Sequence, residues 1–243
     1  MKICDIFFLM KKQFYAAALF FLLPLFLPAQ AGPVEDPGEN TVIQKLQADF
    51  PHISPLYIRA VGETPRKPFI PEAFLSLAGT DLDIPVLRDA IIPSPALTLR
   101  LLSEGGVRPG GSVLIIGKAG GYLGAAASLL SENVTLVELS DELYRKYPAI
   151  FQELEINTVN LVPSLAGAAE SGFMFDTVIV HGATPFLPPE ISSFLRPSGI
   201  LLLPISGESG YQNLLKIQYG NGLAVRSLGE TFFPVVRELY RNY

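Results

Sequence analysis

The sequence predicts an α/β protein: a mostly parallel sheet with helices on both faces, closed by a C-terminal antiparallel hairpin. Three observations predict it. Short apolar runs recur at 112–116, 134–138, 158–162, 177–180 and 199–204. Near-continuous runs of this kind suit strands buried on both faces. Helix-compatible segments lie between most of them, and such alternation implies a parallel sheet covered on both sides. Finally, 214–219 and 223–228 flank Gly220-Asn221-Gly222, the turn of a hairpin.

Each element has its own signal. Residues 10–31 place Lys11 and Lys12 before an apolar stretch that ends at Ala29-Gln30-Ala31. That is the layout of a secretory signal with an A-x-A cleavage site. The stretch is about 15 residues with a proline inside, short of the ~20 that span a bilayer, so no stable span is expected after cleavage. An uncleaved anchor is the minor alternative, and Met10 opens a more typical signal than Met1. Residues 32–40 read as a Gly, Pro and acid tether. A helix is expected over 41–50, with Ile43, Leu46 and Phe50 at helical spacing before Pro51. The prolines of 57–95 argue for loops, with a short helix at 71–78 opened by Pro71. Residues 96–103 form the next helix, ended by Gly105-Gly106. Then come strand 112–116, a glycine turn at 117–121, helix 122–130, strand 134–138 and helix 141–155, which contains Pro148. Strands 158–162 and 177–180, short helix 191–195, strand 199–204 and the hairpin complete the chain. The organisation is a signal peptide at 1–31, a proline-rich extension at 32–95 and an α/β domain at 96–243.

Composition excludes several classes. The 243 residues are 49% apolar and 17% charged, too apolar for a disordered chain. Lys plus Arg number 18 against 23 Asp plus Glu, a net charge of -5, and no basic run is present. A nucleic-acid partner is therefore not expected. Cys4 is the one cysteine, and His52 and His181 are the two histidines, which excludes a Cys/His zinc site and an internal disulfide. Cleavage after Ala31 removes Cys4, three lysines and one aspartate, leaving 15 basic against 22 acidic residues, a net charge of -7. A thiol-free chain suits an oxidising compartment.

The chemistry concentrates at Gly117-Lys118-Ala119-Gly120-Gly121-Tyr122-Leu123-Gly124, after a strand and at the opening of a helix. Ligands of open α/β sheets sit beyond such a turn. Glu138 ends the next strand, 21 residues on, where a carboxylate accepts both ribose hydroxyls of a nucleoside. A dinucleotide and S-adenosylmethionine both fit this reading; a structural glycine turn with a solvated Glu138 is the bland one. Lys118 is read as solvated and His181 as a surface or loop histidine. Gly207-Glu208-Ser209-Gly210 is not a G-x-S-x-G nucleophile turn.

Further segments follow in a distinctive order. Arg66-Lys67-Pro68-Phe69-Ile70-Pro71-Glu72 is similar to an R-x-x-F-V-P-E opening, and Ile84-Pro85-Val86 to L-P-I. Pro95 stands where a proline closes Q-T-I-S-Q-P, and Gly121-Tyr122 ends a G-x-G-S-G-Y loop. Phe175-Asp176-Thr177-Val178-Ile179-Val180 is similar to F-D-x-I-I-V, the stretch from Gly199 to Ile205 to G-G-x-L-V-x-P-V, and Phe232-Phe233-Pro234-Val235 to F-V-P-L. In these motifs the chain resembles the protein-L-isoaspartate O-methyltransferase family, which repairs isoaspartyl residues with S-adenosylmethionine.

The resemblance implies a Rossmann-like S-adenosylmethionine-dependent methyltransferase sheet. It places Gly117, Ala119, Gly121, Tyr122, Glu138 and Ser164 at the cofactor, and Ile91, Pro93 and Ser94 at the substrate-side motif beside the methyl centre. There are departures. Ile91 and Pro93 stand where the motif has threonine and serine, and Ser94 is displaced by one position. Ala119 replaces a loop glycine, Ile115 the acid ending the first strand, and Pro163-Ser164 a G-D pair. Each lost hydrogen bond is worth about 0.5–1.5 kcal/mol. The resemblance implies a protein carboxyl methyltransferase acting on isoaspartyl proteins or peptides, expected as a monomer. The alternative is a catalytically degenerate exported relative that binds a peptide or another ligand; a NAD-linked oxidoreductase is a distant third. The signal implies export, periplasmic or secreted, whereas the resembled family and its methyl donor are cytoplasmic.

Overall fold

Strand β3 (Ser112–Gly117) lies inside a sheet of order β5-β4-β3-β6-β7-β8-β9. The others are β4 (Asn133–Glu138), β5 (Val159–Val162), β6 (Phe175–His181), β7 (Leu195–Ser206), β8 (Gln212–Tyr219) and β9 (Leu223–Thr231). The structure, a computed structural model, describes residues 39–243 except 171, 208–209, 221 and 241–243. The expected signal at 1–31 therefore lies outside the described residues, as does Asn221 of the hairpin turn. Strands β5, β4, β3, β6 and β7 pair in parallel in that order, and β8 and β9 run antiparallel, as the apolar runs and the hairpin signal imply.

The alternation within each strand shows why the runs are continuous. Val113 and Ile115 of β3 enter one core, with Leu136 of β4, Ile179 of β6 and Leu202 of β7. Leu114 and Ile116 enter the other, with Val137, Val178, Val180, Leu201 and Leu203. Most positions of a strand covered on both faces are apolar, because neither face meets water. Burial of each such side chain stabilises by about 1.5–3 kcal/mol.

Helix α1 (Glu39–Asp49) precedes α2 (Pro55–Glu63). The sequence reading missed α2. Its prolines bracket the helix instead of interrupting it: Ser54 caps the N-terminus by accepting from Leu56 N, and Pro55 occupies the first turn. A Cβ on Gly62 would lie 2.1 Å from Ile43 Cγ1, so glycine lets α2 cross α1 closely. The expected helix at 71–78 is a 3-10 segment, Glu72–Leu77. A hairpin of β1 (Ile84–Leu87) and β2 (Ala90–Ile92) occupies part of the expected loop. Strands this short carry no periodicity to read.

Helix α3 (Pro95–Gly105) ends at Gly106, whose left-handed φ of 65° lets its N–H reach Leu102 O and Ser103 O. Then come α4 (Gly121–Ser128), α5 (Asp141–Glu153), α6 (Leu165–Glu170) and α7 (Pro189–Ser193). The first of the two cores also holds Leu46, Ile58, Val61, Phe69, Ile84 and Ile92 of the proline-rich segment. Phe69 meets Tyr122, Tyr147 and Phe151 at centroid distances of 6.0–6.2 Å, tying that segment to α4 and α5. No helix among the described residues is long and apolar enough to cross a membrane.

Candidate active site

The strand order reverses at β3: the chain leaves it through α4 to β4 and returns through α6 to β6. Ligands of such sheets bind outside the carboxyl ends of the strands at this point. Three residues stand in register there, because Gly117 pairs with Glu138 on one side and His181 on the other. A Cβ on Gly117 would lie 2.1 Å from His181 O, so only glycine lets β3 and β6 stay paired to their ends. Gly121 has the same constraint against the Tyr147 ring, with 2.6 Å to Cζ. Ala119 adopts a left-handed φ of 59°, which costs an L-residue about 1–2 kcal/mol.

Glu138 is 1% exposed. Its carboxylate accepts from Ala119 N (3.2 Å), Gly120 N (3.2 Å) and Ser140 N (3.0 Å). Burial pushes its pKa up to about 7, against the three N–H donors, which favour the anion. The bland reading of a solvated Glu138 is thus excluded: the acid is the point on which the glycine loop folds. Ser140 also caps α5 by accepting from Leu143 N.

His181 corrects its reading as a surface or loop histidine. It is 2% exposed, and burial lowers its pKa to about 4, so the ring is neutral. Its Nδ1 donates to Lys118 O (2.8 Å), its ring meets Phe233 edge-on, and Nε2 is buried with no partner among the described residues. Lys118 is not solvated either. Its ammonium, 11% exposed, pairs with Asp89 (2.6 Å) and Glu238 (2.9 Å). Burial opposes its charge, but the two carboxylates outweigh this and raise its pKa. One lysine thus joins the glycine loop, the turn of the β1–β2 hairpin and the C-terminal 3-10 turn Arg237–Leu239. Sequence reasoning missed this link, because residues 89, 118 and 238 share no local signal.

The motif at 90–95 is held by buried Arg66. Its guanidinium donates to Thr80 O, Leu82 O, Ile92 O and Pro93 O and lies over the Tyr122 ring at 5.6 Å. Ser94 caps α3 by accepting from Leu97 N, while its own N–H donates to Asp83 Oδ1. Its hydroxyl is thereby committed to the helix. Ile91 lines a cavity of about 740 Å³ with Pro85, Leu87, Arg88, Asp89 and the C-terminal segment 232–238. Tyr122 is buried, and its hydroxyl donates to Val61 O. Ser164, just past β5, accepts from Gly167 N at the start of α6. Asp176 sits at the opposite, amino end of the sheet, bound to Ser112 and Arg196.

Residues 38–238 match the profile of the Protein-L-isoaspartate(D-aspartate) O-methyltransferase (PCMT) family. The chain belongs to this family. A protein-L-isoaspartate O-methyltransferase 1 of Anaeromyxobacter sp. (strain Fw109-5) is 32% identical over 174 residues, 69% of this chain and 80% of the relative. The protein-L-isoaspartate O-methyltransferase of Brucella anthropi is 27% identical over 164 residues, 66% and 74% of the two chains. The fold is likewise similar to solved structures. One, from Plasmodium falciparum, is described as a protein-L-isoaspartate O-methyltransferase in complex with S-adenosyl-L-homocysteine; it superposes with TM-score 0.71 at 17% identity, covering 84% of this chain and 99% of that one. Another protein-L-isoaspartate O-methyltransferase gives 0.72 at 21%, covering 82% and 65%. The sheet read from the sequence is therefore the methyltransferase sheet of the PCMT family. This PCMT-family chain brings Gly117, Ala119, Gly121 and Glu138 together at the strand ends, keeps Ile91 at the neighbouring cleft, and gives Ser94 and Ser164 to helix starts.

Proposed function

We propose that this chain transfers a methyl group from S-adenosylmethionine to the carboxylate of isoaspartyl residues in damaged proteins. The family match over 38–238 carries the reading. The residues present fit the donor. Glu138 has four lone-pair sites and three N–H donors on them, which leaves capacity for a ribose hydroxyl. The buried Nε2 of His181, an acceptor without a partner, stands in register beside the loop. S-adenosylmethionine supplies an activated methyl on a sulfonium.

The chain's own work is positioning. An isoaspartyl carboxylate is already an anion at neutral pH, so no general base is needed. Lys118 fixes the glycine loop against both walls of the cleft, and Arg66 fixes 90–95, so Ile91 borders the methyl centre with an apolar side chain. Holding donor and acceptor in contact is worth several kcal/mol of the barrier. The test is methyl-ester formation on a synthetic isoaspartyl peptide, with the ordinary aspartyl peptide as control. Ester on the first alone supports the reading; ester on neither, with donor bound, refutes it.

We further propose that residues 1–31 direct export, which requires that the methyl donor reach the exported chain, and that the mature protein is a monomer. N-terminal sequencing of the extracytoplasmic fraction then begins at Gly32; a start at Met1 or Met10 contradicts cleavage. Light scattering on the purified protein reads the oligomeric state.

A further inference from the structure

Two arginines line the cleft at Ile91. Arg88 lies in the turn between β1 and β2, and Arg237 opens the C-terminal 3-10 turn. Both are exposed and border the same cavity of about 740 Å³. Each is followed by an acid, Asp89 and Glu238, yet those two carboxylates are held by Lys118 at 2.6 and 2.9 Å. Lys118 thus takes up the acids next to the arginines. Neither guanidinium has an ion pair or hydrogen bond among the described residues. Beside them the lining is apolar: Pro85, Leu87 and Ile91 on one segment, Val235 and Phe232, which is 72% exposed, on the other. Guanidinium forks match carboxylates, and apolar walls match the aliphatic stem of an extended chain.

We propose that this cleft selects acidic polypeptide, with Arg88 and Arg237 reading a carboxylate next to the residue that accepts the methyl group. The proposal rests on the methyltransferase reading and adds the substrate class. The acceptor carboxylate itself sits at the methyl donor, so the arginines engage a second one, on a flanking Asp or Glu. The chain as a whole is acidic, with a net charge of -5, so the attraction is local and not a long-range field.

Two isoaspartyl peptides test it, identical except for Glu or Gln on each side of the isoaspartyl residue. Binding is read by anisotropy of a labelled peptide, and turnover by methyl transfer. The Glu peptide is expected to bind about five- to tenfold more tightly at low salt, the range for two exposed charge pairs. The preference shrinks toward one at about 0.5 M NaCl. Arg88→Gln with Arg237→Gln abolishes the preference, and Arg88→Glu with Arg237→Glu reverses it. Equal binding of the two peptides, or a preference that survives the double Gln variant, overturns the proposal. The two readings fail separately. Arg-dependent binding without methyl transfer to either peptide refutes the methyltransferase and supports the cleft; equal binding and transfer to both peptides does the opposite.

Discussion

Glu138 sets the pH behaviour of the site. Its pKa is raised from 4.5 to about 7, so the folded chain keeps a proton that the unfolded chain loses in that window. Stability therefore falls as pH rises from about 4.5 to 7, by about 3 kcal/mol at most, and is level above. Glu138→Gln should flatten that slope in urea melts across pH; an unchanged slope would remove Glu138 as its source. A ribose hydroxyl donates to the anion, so cofactor binding should release a proton. Calorimetry with S-adenosylhomocysteine in two buffers of different ionisation enthalpy reads this, and affinity should rise between pH 6 and 8. Arg66 is the other decisive residue. Arg66→Met leaves the carbonyls of Thr80, Leu82, Ile92 and Pro93 without their donor. A loss of about 3 kcal/mol is expected in denaturant titration; a loss under 1 kcal/mol would mean that water replaces it.

The elements show what a sequence makes legible. Strands β3, β4, β6 and β7 announce themselves because their runs are nearly all apolar, and α3 because Gly105-Gly106 marks its end. Helix α2 was hidden by the proline count of its neighbourhood, though Ser54-Pro55 is a sound start signal. The β1–β2 hairpin is too short for a pattern, and Pro85 speaks against a strand. At the site, Gly117 and Glu138 were legible through spacing. Lys118 and His181 were misread because their burial comes from segments far away in sequence: Asp89, Glu238 and Phe233. The start of α4 gives a direct check. A Cβ at Gly121 meets the Tyr147 ring at 2.6 Å, so Gly121→Ala should cost about 2 kcal/mol by overpacking. The double change Gly121→Ala with Tyr147→Leu should recover part of it; no recovery would place the strain in the backbone.

On the scale of the molecule, the proline-rich segment from residue 39 shares one of the two cores that flank the sheet. Leu46, Ile58, Val61, Phe69, Ile84 and Ile92 are all buried there. A chain beginning at residue 96 would expose their partners and lose Arg66, so no cooperative melt is expected from it. A cooperative transition in the truncated chain would show that 96–243 folds alone. This PCMT-family fold is expected to perform its chemistry with Ile91 and Pro93 where the motif has hydroxyls. The measurement is transfer of labelled methyl from S-adenosylmethionine by the full chain to an isoaspartyl peptide and to its aspartyl twin. Base-labile label is expected on the isoaspartyl peptide alone. Label on neither peptide, while S-adenosylhomocysteine binds, would contradict it.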